Sequence, residues 1–437
     1  MPLFQSLPGF REFYPEALAK RNAIFNKWRT AAQAFNFSEY DAPILEPLEL
    51  YKVKSGNEIE SQLFNFIDKG NRAVSLRPEM TPTVCRMIAA KANALKRPTK
   101  WFNIGEFYRY ERAQKGRERS FFQFNCDIFG EPGPEAEIEL LSLLIQSLTS
   151  FNLTSKDFYV RLSDRTLWVY FLGSLGFTPE QTQYVLSCID KYEKIGVKAF
   201  DAYATSFEPI SATTLEQITT LLNVKSLASL EALFLPISND AILARLNDWK
   251  TLLSGLEAMG YKDFLSVDFS VVRGLAYYTG FVFEAFDLKG ELRALAGGGR
   301  YDNLIEKLGG PSMPAVGFAI GDVTLQLLLE QRNLVTPPLP TTDIFVVIGE
   351  AERAVALAFV SQLRKLNYRV DYAIKNTPLN KQLKTAFDSG AKLSLTYASE
   401  ESLKGISKIR TFSSRSEITV PVSDTISTIT KLLSVVS

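Results

Sequence analysis

Apolar residues recur at two different spacings along this chain, and the changes between them divide it into parts. Pro15 to Phe35 carries Leu18, Ile24, Phe25 and Trp28 among Lys20, Arg21, Lys27 and Arg29, the spacing of an amphipathic helix. Tyr40–Leu45 reads as an edge or bent strand, because Pro43 has no N–H to give a central ladder. Short runs at Ala73–Leu76, Thr99–Ile104 and Phe122–Phe129 predict strands. The turn Gly130-Glu131-Pro132-Gly133-Pro134 then opens a helix over Glu135–Phe151. From Arg165 to about Gly260 the strand signals thin out. Helical periodicity runs through Trp168–Leu175, Thr182–Tyr192, Leu215–Leu222 and Ala241–Met259. Strand patterning resumes at Phe264–Phe269, so residues 166–260 read as a helical insertion in a β-containing domain.

Two dense blocks, Val271–Phe286 and Ala296–Leu308, precede an apolar run, Pro314–Ile320, that leads into a helix. Residues 333–342 (NLVTPPLPTT) hold three prolines and predict a linker between a first domain, 1–332, and a second, 343–437. Beyond the linker, strands at Asp343–Ile348, Tyr368–Ile374 and Lys392–Tyr397 alternate with helices at Glu350–Leu366 and Leu379–Ser389. Further strands at Ile409–Phe412 and Ile418–Val420 precede a last helix from Asp424. That alternation predicts a small α/β domain with a largely parallel or mixed sheet.

Composition narrows the chemistry. A length of 437 residues exceeds one ordinary core, and 46% hydrophobic with 22% charged residues is the balance of a soluble globular protein. Lys+Arg at 49 against Asp+Glu at 48 leaves no global field, so any nucleic-acid surface must be a local patch. No apolar stretch is long enough for a membrane span, and the N-terminus has no secretion-signal pattern; a cytoplasmic setting is expected. Cys85, Cys126 and Cys188 are odd in number and far apart, reading as reduced buried thiols. The chain contains no histidine. That removes the Ser-His-Asp triad, the His-Glu-x-x-His zinc helix and any imidazole base. Chemistry must rest on carboxylates, arginines, bound metal or the substrate itself.

The densest chemistry lies in Phe107–Gly130, FYRYERAQKGRERSFFQFNCDIFG. Its first part reads as a strand with Arg109 and Glu111 on one face, and its last as a strand with Phe121, Gln123 and Asp127 on one face. Between them runs a basic loop with Arg112, Lys115, Arg117 and Arg119. A hairpin of this kind suits a phosphorylated, partly cationic ligand, with a nucleic-acid backbone at the loop; it also suits a solvated, salt-bridged hairpin.

These residues resemble motif 2 of the class II aminoacyl-tRNA synthetases, and Glu39–Leu50 with the preceding helix resembles motif 1, which builds a dimer interface. Two further blocks are similar to the histidyl-tRNA synthetase family. Leu76-Arg77-Pro78-Glu79-Met80-Thr81 resembles the segment that holds the substrate α-amino group. Val272-Arg273-Gly274-Leu275-Ala276-Tyr277-Tyr278-Thr279-Gly280, followed by Gly297-Gly298-Gly299-Arg300-Tyr301-Asp302, resembles the family's signature in order and spacing. The resemblance implies an α+β fold, with an antiparallel-sheet catalytic domain, a helical insertion and a C-terminal α/β anticodon-binding-like domain. It implies an enzyme that activates histidine with ATP and Mg²⁺ and transfers it to tRNA(His), working as a homodimer.

It also assigns expected roles. Arg109 and Arg273 are the catalytic pair on the reacting carboxylate and α-phosphate. Arg109, Glu111, Phe121 and Arg117 bind ATP. Glu79, Thr81, Gln123, Asp127, Tyr277 and Tyr278 bind histidine, while Arg112, Gln114 and Lys115 meet the tRNA acceptor end. No protein side chain is expected to ligate a metal. An imidazole N–H needs an acceptor, and the Asp127 carboxylate is the best available one. Two positions depart from the pattern. Thr324 stands where motif 3 carries an arginine on the γ-phosphate, leaving that contact to Arg117 or Mg²⁺, and Ala276 stands where many members have an acid. The alternative function is that of a catalytically silent relative that binds histidine to regulate histidine biosynthesis; the C-terminal domain and the motif arginines speak for the ligase. That domain is modestly basic, with 13 Lys+Arg against 9 Asp+Glu from Thr342 on.

Overall fold

The computed structural model describes residues 4–55, 57–112, 114–273, 277–334 and 342–436. The chain divides into two compact units, residues 1–336 and 337–437. Most of the proline-rich stretch expected as a linker, 335–341, lies outside the described residues, as do Gly274, Leu275 and Ala276 of the signature block.

The first unit is built on an eight-stranded sheet. In chain order its strands are β1 (Ser38–Glu39), β2 (Thr99–Tyr108), β3 (Ser120–Phe129), β4 (Phe158–Asp164), β5 (Leu265–Val267), β6 (Phe281–Asp287), β7 (Ala296–Arg300) and β8 (Ala315–Gly321). They lie in the order β1-β2-β3-β8-β7-β6-β4-β5. The central pairs are antiparallel, and only the two outer pairs, β1 with β2 and β4 with β5, run parallel. The parallel β4–β5 pair needs a long crossover, and the helical insertion supplies it. Its main helices are Arg165–Ser174, Pro179–Ile195, Ala212–Leu222, Leu227–Phe234 and Asp240–Ala258. Local chemistry fixes where they start. Asp164 accepts from the N–H groups of Thr166 and Leu167, and Thr178 with Gln181 forms a capping box.

One face of the sheet is closed by helices Pro15–Ala34 and Glu135–Thr149. Trp28 stacks on Phe124 at 5.5 Å between centroids, and Leu140, Leu141 and Leu144 are fully buried in the same core. The stretch Tyr40–Ile44, expected as strand, is instead irregular chain between two short strands, Ser38–Glu39 and Leu45–Pro47. Leu45–Pro47 belongs to a separate three-stranded sheet with Asn65–Ile67 and Ala73–Leu76. The strand Phe158–Asp164, without a clear alternation to announce it, precedes the insertion.

The second unit carries a five-stranded mixed sheet. Ile344–Ile348 is buried at every position and pairs in parallel with Val370–Tyr372 and Leu393–Tyr397. Ile406–Thr411 and Ser416–Pro421 extend it antiparallel. A strand apolar on both faces is what a sheet covered on both sides requires.

Candidate active site

The pocket of the first unit lies on the sheet where β3, β8 and β7 meet. Glu79, Thr81, Arg109, Gln123, Asn125, Asp127, Arg273, Tyr277, Tyr278, Gly297, Tyr301 and Gly317 are among its lining residues. Strand β3 runs antiparallel to β8, with Asp127 opposite Gly317 and Gln123 opposite Gly321. Residues 123, 125 and 127 alternate to the same face, so three polar side chains rise from one strand. The glycines opposite make room for them. A Cβ on Gly317 would overlap the Asp127 carboxylate, and one on Gly297 would overlap the Arg273 guanidinium. The glycine run 297–299 is therefore the middle of strand β7 and forms a flat floor; it is not a phosphate loop.

At the closed end, Asp127 is buried and accepts a hydrogen bond from the Tyr301 hydroxyl at 2.5 Å. Tyr277 and Tyr278 lie 4.4 Å apart between centroids, and Tyr277 meets Tyr301 edge-on at 5.9 Å. Burial pushes both the Tyr277 and Tyr278 hydroxyls above the ordinary tyrosine value, so they stay protonated at neutral pH. Glu79 and Thr81 come from the approach and first turn of the helix Thr81–Lys91. The Gln123 carbonyl oxygen is buried with no hydrogen-bond partner among the described residues.

At the other end sit two arginines. Arg109 lies just past β2, so the expectation of a strand through Glu111 stops short: β2 ends at Tyr108. Its Nε donates to the Pro78 carbonyl at 3.1 Å, and its guanidinium stands 5.1 Å over the Phe121 ring. Burial pulls Arg109 below its usual pKa, with Glu79 opposing and Arg273 adding to the shift. Arg273 has φ 49°, a left-handed backbone that side chains with a Cβ rarely adopt. Burial works against its charge too, but Tyr278, Glu284 and Tyr277 hold its guanidinium above the ordinary value. Its Nη1 is 2.9 Å from Glu284, while Nε and Nη1 make no hydrogen bond among the described residues. Nη1 is thus held by charge alone and Nε by nothing among the described residues; a buried donor without a partner is uncommon, and this one belongs to a residue that lines the polar pocket.

The remaining expected residues lie outside this lining. Phe121 packs against Phe107 at 6.2 Å, beneath Arg109. Glu111 and Arg117 form an ion pair in the hairpin loop, and Arg112, Gln114 and Lys115 are exposed at its tip. Thr324 is buried in the helix Asp322–Gln331 and does not line the pocket. The neighbouring Asp322 is structural: it pairs with Arg11 at 2.8 Å and accepts from the Phe122 N–H at 2.9 Å.

Sequence reasoning missed four contributors. Tyr301 and Gly297 stood inside a quoted block without a role. Asn125 was legible from the same alternation that found Gln123 and Asp127. Arg165, which opens the insertion, donates through Nη1 to the carbonyls of Val272 at 3.0 Å and Arg273 at 3.1 Å, and no local pattern announces it. In the second unit a cleft of about 710 Å³ is lined by Glu350, Thr377, Glu401, Lys408 and Arg410 among others.

Comparison with known proteins gives matches in both units. Residues 9–324 match the family model described as histidyl-tRNA synthetase, and residues 343–432 match the anticodon binding domain. A histidine–tRNA ligase of Opitutus terrae is 60% identical over 96% of this chain and 97% of its own length. The chloroplastic/mitochondrial histidine–tRNA ligase of Arabidopsis thaliana is 37% identical over 95% of this chain and 85% of its own. The structure of histidyl-tRNA synthetase from Nostoc sp. PCC 7120 superposes with a TM-score of 0.82 at 23% identity, covering 99% of this chain and 100% of that one, which speaks to the fold. The relatives favour the ligase over the regulator, and the chain belongs to the histidyl-tRNA synthetase family, whose members join histidine to tRNA at the expense of ATP.

Proposed function

We propose that the pocket holds histidine with its imidazole toward Asp127 and its carboxylate between Arg109 and Arg273, where ATP lays its α-phosphate. The observation that carries this reading is the polarity of one cavity. A buried carboxylate closes one end, two arginines close the other, and an unpaired amide oxygen stands between. Asp127 and Tyr278 take the ring nitrogens, while Glu79, Thr81, Gln123 and Tyr277 surround the α-ammonium. Phe121 and Glu111 receive adenine, and Arg117 the outer phosphates. The exposed tip with Arg112, Gln114 and Lys115 meets the acceptor end of tRNA(His), and the cleft of the second unit takes anticodon bases. In domain terms, 1–332 is catalytic, 333–342 links, and 343–437 binds the anticodon.

The chemistry follows from these positions. The histidine carboxylate, already ionised, attacks the α-phosphorus in line; a P–O bond forms as the bond to pyrophosphate breaks. No protein base is required, so a chain without histidine loses nothing. Arg109 and Arg273 stabilise the charge that grows on the phosphoryl oxygens and fix the approach. The terminal ribose hydroxyl of tRNA then attacks the adenylate carbonyl and AMP leaves. Mg²⁺ would travel on the nucleotide phosphates, whose charge it would offset.

A homodimer and a cytoplasmic location belong to the same reading. Ile44, Leu45, Phe66 and Ile67 are exposed around the three-stranded sheet that takes one strand from the motif 1 segment, an apolar surface of the kind that pairing covers. Histidine-dependent ATP–pyrophosphate exchange, then charging of tRNA, tests the whole. Both activities are expected from a species sedimenting as two chains. Histidine binding without exchange would overturn the catalytic assignment, and a fully active monomer the dimer.

A further inference from the structure

We infer that Arg293, in the turn between β6 and β7, binds the outer phosphates of ATP together with Arg117. The inference rests on the assignment of Arg109 to the α-phosphate and extends it outward. Arg293 is exposed, and among the described residues no hydrogen bond or ion pair holds its guanidinium. Its backbone, by contrast, is anchored on both sides. The Asp287 carboxylate accepts from the N–H groups of Glu291 and Leu292, at 3.2 and 3.0 Å. The Leu295 N–H donates to the Ala285 carbonyl at 2.8 Å, and the Leu295 carbonyl accepts from Gly321 at 3.2 Å. A free cation on a fixed turn is poised for a ligand that arrives from solution.

Its position says which ligand. Strand β7 pairs with β8 from Ala296 opposite Ile320, so residue 293 comes just beyond the paired segment, beside the start of the helix Asp322–Gln331. There it faces the hairpin loop: a Cβ built on Gly116 would lie 3.8 Å from the Arg293 Cδ and 3.8 Å from Leu327 of that helix. Gly116, with φ 79°, lets the loop turn at this point, next to Arg117. Arg273, Arg109, Arg117 and Arg293 thus succeed one another, each within electrostatic reach of the next. Glu111 pairs with Arg117, but one carboxylate does not offset both Arg117 and the neighbouring Arg293, and like charges brought together on separate elements repel unless a further anion lies between them. A chain of phosphates leaving the α-position is the anion whose length and charge fit such a row. Thr324, buried and uncharged in the adjacent helix, supplies nothing at this end, and Arg293 fills that gap from the neighbouring strand connection.

The test separates outer phosphates from the rest of the nucleotide. In Arg293→Ala, KM for ATP and for pyrophosphate in the exchange reaction should rise roughly tenfold, the loss of one charge-assisted contact. Inhibition by AMP, which has no outer phosphates, and KM for histidine should stay as in the unaltered enzyme. Arg293→Lys should recover part of the loss. Unchanged KM for ATP and pyrophosphate would overturn the inference, and so would an equal weakening of AMP. A parallel Arg109→Ala variant tests the underlying reading: it should weaken AMP and ATP alike, and if it does not, the α-phosphate assignment fails irrespective of Arg293.

Discussion

The two ends of the pocket are finished to different degrees. At Asp127 the carboxylate already has a partner: Tyr301 donates to it, Tyr277 meets Tyr301 edge-on, and Gly317 leaves room for it. Around Arg109 and Arg273 the cations are held at one edge only: Arg109 through Nε to the Pro78 carbonyl and Arg273 through Nη1 beside Glu284, with the Arg273 Nε lacking a hydrogen bond among the described residues. On the proposed reading, the difference follows from what each end does. A ring is recognised by shape and by a fixed acceptor, so preorganisation sharpens selection. Charge on a phosphoryl group grows during reaction, so donors satisfied in the resting protein would be of little use.

Breaking each end should therefore give different kinetics. Arg273→Ala removes a donor set that acts on developing charge, and adenylate formation should fall about 10²–10³-fold in kcat. Histidine binding, measured by calorimetry, should weaken far less; a matched loss in both would erase the distinction. Asp127→Asn keeps the shape but removes the charge that accepts the imidazole N–H. KM for histidine should rise about 10- to 100-fold, with KM for ATP little changed, the scale of one hydrogen bond to a charged group. Gly317→Ala, by crowding the same carboxylate, should imitate Asp127→Asn on a smaller scale; an effect on ATP instead would place the carboxylate at the wrong end.

The ring end was legible in the sequence because it is local. Gln123 and Asp127 share a face of one strand by their spacing alone, and the hairpin around them is contiguous. The phosphate end is assembled from distant pieces. Arg109 was found by motif, but its setting, the Pro78 carbonyl 31 residues away, depends on how the small sheet meets the large one. Arg293 sits in a turn whose sequence looks ordinary until β7 is paired with β8. The glycine run carried no stated reason in the sequence: Gly297 serves close approach of Arg273, which only a packed neighbour reveals. The helical insertion was legible as helices, while its attachment to Arg273 was not.

That attachment yields the subtlest prediction. An arginine held at φ 49° stores about 1–2 kcal/mol of backbone strain, which surrounding contacts must outweigh. Arg165 supplies them, gripping the carbonyls on either side of that residue's Cα, while its Nη2 donates to Gln183 Oε1 at 3.0 Å on the next helix. Asp164, which caps the Arg165 helix, also accepts from Arg245 at 2.7 Å and Trp249 at 2.9 Å on a third helix. The insertion thus fixes the backbone from which the Arg273 side chain enters the pocket. Arg165→Lys keeps the charge but loses the planar fork that reaches both carbonyls through Nη1 and Gln183 through Nη2 at once. Its expected cost is about tenfold in kcat of exchange, in the range of one or two hydrogen bonds. KM for histidine and ATP should hold, because Arg165 is not among the residues lining the pocket. A rise in KM for histidine would mean that the insertion supports the ring end as well, and the contrast between a rigid ring site and a phosphate site positioned from outside would have to be given up.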